Sequence, residues 1–218
     1  MEQSVQHRKG LFISLEGLDG CGKTTQIKYL RQAFEKAGRR VVDFREPGCT
    51  PLGERLREIV LHSDSVIGER AELLIYLSSR AQVTDEIVIP SLNEGKVVIA
   101  DRYADSSVAY QGFGRLIGAQ QVKALNDFAI KGAYPDITFL LEISVEEALK
   151  RLRNKPLDRL EKERETFFHR VHEGYEWLCK NDPQRFVKIP GEMEPTQVSK
   201  LLIQTLETKG LLSPALSH

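Results

Sequence analysis

Leu11-Phe12-Ile13-Ser14-Leu15-Glu16-Gly17-Leu18-Asp19-Gly20-Cys21-Gly22-Lys23-Thr24-Thr25-Gln26 runs from an apolar stretch through a glycine-rich turn into a helical pattern. Gly17, Gly22, Lys23 and Thr24 satisfy the spacing G-x-x-x-x-G-K-[ST] of a phosphate-binding loop. Glycines let backbone N–H groups curl around phosphate oxygens with no Cβ in the way. The helix that follows adds the positive end of its dipole. Gly17, Leu18, Asp19, Gly20, Cys21, Gly22, Lys23 and Thr24 therefore read as a nucleotide-phosphate cradle. Lys23 would reach the β- and γ-phosphates, and the Thr24 hydroxyl would ligate Mg²⁺.

Outward from this loop, strands and helices alternate. Leu11–Glu16 reads as a strand, and 24–37 as an amphipathic helix with Ile27, Leu30, Ala33, Phe34 and Ala37 on one face. A second strand covers Val41, Val42 and Phe44, then a rigid turn Arg45-Glu46-Pro47-Gly48-Cys49-Thr50-Pro51. Helical patterns follow over 52–61 and from about 69 to 93, the second with an alternative end near Pro90. Val97-Val98-Ile99-Ala100 is a third strand, closed by Asp101, the pattern of a second Mg²⁺ ligand in phosphate-loop proteins. A short stretch from Asp105 to Gln111 ends at Gly112 and Gly114, and 119–131 is a helix whose Val122, Leu125 and Phe128 read as core. A fourth strand covers 137–143, and Ser144-Val145-Glu146-Glu147 caps the next helix. Polar residues 153–160, with Pro156, form a loop; 161–180 returns to helix, 186–189 is a fifth strand and 194–209 a last helix. This alternation predicts an α/β chain of the P-loop NTPase fold, with a parallel sheet and helices on both faces. Right-handed crossovers place the loop, Arg45 and Asp101 near one edge of that sheet.

The 218 residues suit one domain over 1–218, with 1–9 and 211–218 frayed and a flexible lid at about 151–160. Acidic and basic residues balance at 31 each, which gives no footprint for nucleic acid. Cys21, Cys49 and Cys179 show no metal spacing and suit a reduced, cytoplasmic chain. No apolar run approaches the roughly 18 residues of a membrane span, and Met1–Lys9 lacks the apolar core of a signal peptide. His169 and His172 are spaced i, i+3, but without a third ligand they read as a solvated face.

A phosphate loop alone does not choose among kinases, switches and motors. A guanine-reading N-K-x-D is only approached by Asn154-Lys155-Pro156-Leu157-Asp158, with the aspartate one position late. Four further stretches sharpen the choice: Arg45-Glu46-Pro47-Gly48; Ile75-Tyr76-Leu77-Ser78-Ser79-Arg80-Ala81-Gln82; Asp101-Arg102-Tyr103-Ala104-Asp105-Ser106-Ser107-Val108-Ala109-Tyr110-Gln111-Gly112; and Leu157-Asp158-Arg159-Leu160-Glu161. Together with the phosphate loop, in this order, they resemble the thymidylate kinase family from about Leu11 to Leu206, and the Asp101–Gln111 stretch is the most specific.

The resemblance implies transfer of the γ-phosphoryl group of Mg-ATP to dTMP, a five-stranded parallel sheet, a flexible lid and a homodimer. By position it gives Asp19 the sugar 3′-OH, Tyr76 a stacking face for thymine, Arg80 the reading of the base and Arg102 the acceptor phosphate. Ser106, Ser107 and Gln111 line the base and sugar side, and Tyr110 crowds out a 2′-OH. Arg45 is either a substrate contact or a turn anchor. The phosphate loop carries no arginine, whereas Arg151, Arg153 and Arg159 lie in or beside the lid, as in the bacterial lid-arginine type. Arg153 and Arg159 are the favoured catalytic pair beside Lys23 and Arg102, with Thr24 and Asp101 as the Mg²⁺ ligands. Cys49 departs from the glycine usual after Arg-Glu-Pro-Gly, and Glu142 and Ser144 from an Asp and a Pro common after the fourth strand. The rivals are a kinase for another nucleoside monophosphate or a deoxynucleoside, and a nucleotide-dependent switch, which has no use for an acceptor pocket.

Overall fold

The computed structural model describes residues 9–62, 65–153, 158–163 and 165–212. Among them a five-stranded, all-parallel sheet has the order β2-β3-β1-β4-β5. The strands are β1 (Leu11–Glu16), β2 (Val41–Arg45), β3 (Val97–Asp101), β4 (Ile137–Glu142) and β5 (Phe186–Pro190). The helices are α1 (Lys23–Lys36), α2 (Pro51–His62), α3 (Glu69–Val83), α4 (Ile89–Asn93), α5 (Ala104–Ser107), α6 (Ala119–Ile130), α7 (Val145–Leu152), α8 (Glu165–Asn181) and α9 (Pro195–Thr208).

β1 and β3 are apolar because helices cover both of their faces, as a parallel sheet requires. Leu11, Ile13, Leu15, Val97 and Ile99 pack into one core with Ile27, Leu30 and Phe34 of α1. Phe12, Val98 and Ala100 point the other way, into a second core with Phe44, Leu92 and Tyr103. The register sets Leu15 beside Asp101 and Asp101 beside Arg45, so the three strands deliver the phosphate loop, Asp101 and Arg45 to one edge. That arrangement matches the expectation from the sequence.

The long helical pattern runs to Asn93, the further of its two expected ends, because a π turn over Thr84–Val88 restarts the helix and leaves Pro90 in its first turn, where no N–H is needed. Other boundaries differ from the expectation. Gly112 does not end the helical stretch but lies inside a second π turn, Val108–Gly114, which ends at Gly114 as expected. A Cβ on Gly114 would lie 2.6 Å from the ring of Phe167, so the glycine serves packing against α8. Helix α8 begins at Glu165 rather than Glu161; in the turn before it, Asp158 Oδ1 accepts the N–H groups of Leu160 and Glu161 at 2.8 and 2.9 Å. Phe128 is 87% and Leu125 37% exposed, so only Val122 of the three expected core residues on α6 is buried. Leu211 and Leu212 bond back to Leu206 and pack on the core; the rest of the expected frayed ends, 1–8 and 213–218, and lid residues 154–157 lie outside the described residues.

Candidate active site

Gly17 takes φ 134°, and a Cβ there would sit 2.5 Å from the Leu141 carbonyl oxygen, so the loop closes against β4 only with glycine. Lys23 folds back over the loop, with Nζ donating to the carbonyls of Gly17 and Leu18 at 3.2 and 3.1 Å. The Leu18 and Cys21 side chains turn into the core, which leaves only their backbone for a ligand. The Thr24 hydroxyl donates to Asp101 Oδ2 at 2.9 Å. A hydroxyl and a carboxylate converging at a phosphate loop are the hard oxygen donors that suit Mg²⁺, an ion that keeps several waters and takes few protein ligands.

This loop opens on a cleft of about 830 Å³, which also takes in Arg45. A second cleft of about 540 Å³ is lined by Tyr76, Arg80, Ser106, Ser107, Tyr110 and Gln111. Asp19, Glu46, Arg57 and Arg102 line both, so the two clefts meet at these four side chains. The structure thus brings the sequence-predicted acceptor residues together and joins them to the phosphate loop.

Arg102 follows Asp101 at the end of β3 and holds φ 69°, the left-handed region that costs a non-glycine residue roughly 1 kcal/mol or more. Its guanidinium donates to Asp19 Oδ1 at 2.6 Å, to the hydroxyls of Tyr110 (3.1 Å), Ser106 (3.2 Å) and Tyr175 (3.2 Å), and lies 4.9 Å from the Tyr110 ring centre. Burial works against ionisation of Asp19, but the charges of Arg102 and Lys23 and the bonds from Tyr110 and Arg102 outweigh it and hold its pKa at about 2. Burial and the nearby Asp105 charge push Glu16 up, against the pull of Arg102. Burial, then the Glu72 charge, raises the Tyr76 hydroxyl, so that ring stays neutral.

Arg80 is 1% exposed and fully bonded: Nε and Nη2 to Glu46 Oε2 (2.8 and 2.5 Å), Nη1 to Ser107 (2.8 Å) and Asn126 (2.6 Å), and Nη2 to the Tyr103 carbonyl (3.0 Å). Those five bonds engage every donor it has. Burial pushes the Glu46 carboxyl up, to about 7, against the pull of Arg80. Gln111 is held by buried Glu72 at 2.9 Å. Arg45 lines only the phosphate cleft, where it anchors the turn through Glu54 at 3.1 and 3.2 Å. Cys49 takes the glycine-like φ of 65° at that turn, with its N–H on Glu54 at 2.7 Å, so the turn survives the departure from glycine.

On the lid side, the Arg151 guanidinium reaches the phosphate loop, with Nη1 on the Gly20 carbonyl at 3.1 Å and Nε on Glu147 at 2.7 Å. Arg159 bonds instead to Glu72 and, at 2.8 Å, to the Val60 carbonyl, and Arg153 is exposed at the end of α7. His169 meets Glu165 and Glu146, not His172, on the exposed surface. Sequence reasoning missed Arg57, Glu72 and Tyr175. All three are single polar positions on long helices, with no spacing to mark them.

A phosphate loop joined to a second cleft fits a phosphotransferase of the P-loop class. The family model described as thymidylate kinase matches residues 15–202. The chain is 46% identical over 199 residues to the thymidylate kinase of Caldanaerobacter subterraneus subsp. tengcongensis, covering 91% of this chain and 96% of that one. It is 48% identical over 170 residues to the thymidylate kinase of Thermosipho africanus (78% and 85% covered), and 42% over 195 residues to that of Kosmotoga olearia (89% and 94% covered). The chain belongs to the thymidylate kinase family.

Proposed function

We propose that the two clefts hold ATP and dTMP, with their reacting phosphates meeting between Lys23 and Arg102. The chain transfers the γ-phosphoryl group of ATP to dTMP, giving dTDP and ADP. The single observation that carries the assignment of the sites is the sharing of Asp19, Glu46, Arg57 and Arg102 by both clefts. A donor site and an acceptor site that touch at two arginines are what phosphoryl transfer between nucleotides requires.

In this reading, Gly17, Leu18, Asp19, Gly20, Cys21, Gly22, Lys23 and Thr24 cradle the ATP phosphates. Lys23 exchanges its two carbonyl partners for phosphate oxygens. Arg102 holds the acceptor phosphate. Asp19 and Tyr110 take the sugar, and Tyr76, Arg80, Ser107 and Gln111 surround the base. The Ser106 hydroxyl and Arg45 act through neighbours, the first on Glu16 and Arg102, the second on Glu54. Thr24 and Asp101 would hold Mg²⁺, which when bound would neutralise phosphate charge. Arg153 and Arg159 complete the positive shell from the lid, once Arg159 releases Glu72; Arg151 already stands on the loop. No strong base is needed, because the second ionisation of a phosphate monoester lies near about 6, so its attacking oxygen is largely ionised at neutral pH.

A homodimer is part of this proposal. Helices α2, α3 and α6 pack in a row and leave Ile59, Leu74, Leu125 and Phe128 exposed, apolar surface that a second copy would cover. Among the described residues no helix is long and apolar enough to cross a membrane, and small soluble nucleotides as substrates favour a cytoplasmic location without nucleic-acid partners. The test is ADP release from Mg-ATP with each nucleoside monophosphate in turn. Strong turnover with dTMP, weaker with dUMP and little with UMP is expected. Hydrolysis without an acceptor, unaltered by any monophosphate, would overturn the acceptor assignment.

A further inference from the structure

The Tyr175 hydroxyl lies between Arg102 and Glu16. It accepts from Arg102 Nη1 at 3.2 Å and donates to Glu16 Oε2 at 3.0 Å. Ser106 repeats the arrangement, accepting from the same Nη1 at 3.2 Å and donating to the same Oε2 at 2.5 Å. The direction of these bonds follows from chemistry. A guanidinium only donates and a carboxylate only accepts, so each hydroxyl must turn its lone pairs to Arg102 and its one proton to Glu16. The 3.1 Å approach of the two hydroxyls then carries no proton of its own. Glu16 is itself fixed, because Oε1 accepts the Tyr103 N–H at 2.8 Å and the Ser14 hydroxyl at 3.0 Å. One edge of Arg102 is thus tied to Asp19 and Tyr110, and the other is tied through two hydroxyls to Glu16.

Tyr175 comes from α8, beyond the lid and 73 positions from Arg102. Its neighbour Gly174 makes this reach feasible, since a Cβ there would lie 2.8 Å from the Ala109 Cα on the facing π turn. The hydroxyl bridge also has a charge logic. A second carboxylate directly on Arg102 would place another anion against the incoming phosphate. A hydroxyl transmits the orientation while keeping Glu16 one bond further away.

We propose that Tyr175 is a positioning residue for the acceptor phosphate. With Glu16 behind it, it locks the Nη1 edge of Arg102 so that the guanidinium meets the phosphate in one orientation. The inference rests on Arg102 as the phosphate holder. The test is the Tyr175→Phe variant, which keeps the ring packed edge-on against Tyr110 at 6.4 Å and removes only the oxygen. Calorimetric titration compares dTMP with thymidine, which lacks the phosphate. Affinity for dTMP is expected to fall about tenfold, the size of one hydrogen bond to a charged group, while thymidine binds as before. The KM for ATP stays unchanged as kcat/KM for dTMP falls in step. Equal losses for both ligands, or no loss for either, would overturn the proposal. If Tyr175→Phe does not fold, Glu16→Gln is expected to give the same selective loss, and its absence there counts equally against it. Arg102→Lys separates the two layers. Selective dTMP loss in Arg102→Lys but not in Tyr175→Phe sinks the relay alone. No selective loss in Arg102→Lys sinks the phosphate role of Arg102, and the relay with it.

Discussion

Arg80 and Arg102 line the same cleft, each beside a carboxylate, and they are built for different work. Arg80 is sealed, its donors spent on Glu46, Ser107, Asn126 and a backbone carbonyl. Arg102 is also bonded, but it faces both clefts, its side chain keeps 15% exposure, and its partners are Asp19 and three hydroxyls, of which those of Tyr110 and Ser106 belong to residues that line the second cleft. The first arrangement makes a wall with its donors all engaged. The second leaves a charge facing both clefts. A buried arginine is therefore not evidence of substrate contact; the deciding feature is what its donors already hold.

The sharpest way to break this comparison is Arg102→Ala. Removing a preorganised donor to a transferring phosphoryl group costs roughly 100- to 1000-fold in turnover. Steady-state kinetics should show that loss with ATP binding intact. Arg80→Met should act first on stability. Breaking a buried pair while Glu46 stays behind costs about 3 kcal/mol of stability, read from denaturant melts.

Asp19 sharpens the contrast through pH. Its pKa of about 2 in the fold lies below its ordinary value of 3.8. Its stabilisation is therefore fully present above the ordinary value and is lost as pH falls towards the folded one. The stability difference between wild type and Asp19→Asn should be about 2 kcal/mol near neutral pH and should shrink as the solution is acidified below about pH 4. The smallest effect falls on the lid side. Arg151→Ala is expected to lower kcat roughly tenfold through the phosphate loop, a loss of about 1.4 kcal/mol. It should leave the melting temperature nearly unaltered, because partly exposed pairs such as Arg151–Glu147 stabilise little.

Much of the phosphate side was legible because its chemistry fixes spacing. Gly17, Lys23, Thr24 and Asp101 lie where the pattern put them, and the parallel register brought Arg45 beside them. The lining of the second cleft was legible only through resemblance, since Tyr76 and Tyr110 have no periodicity that separates them from core aromatics. What escaped has physical reasons. Phe128 repeats at the same helical spacing as a core residue, and periodicity cannot tell a buried face from an unpartnered one. The π turn around Gly112 and Gly114 packs on α8 at Gly114, a tertiary contact that no local pattern marks. Tyr175 and Glu72 act through partners far along the chain, the latter holding Gln111, Arg115 and Arg159 at once.

The measurement that tests the account most directly is a crystal structure of the chain with dTMP and a non-hydrolysable ATP analogue. The account predicts the acceptor phosphate on the Arg102 guanidinium, facing the γ-position above Lys23, with the thymine ring against Tyr76. A dTMP phosphate bound away from Arg102, or a base turned towards it, would contradict the assignment of the two ends of the cleft.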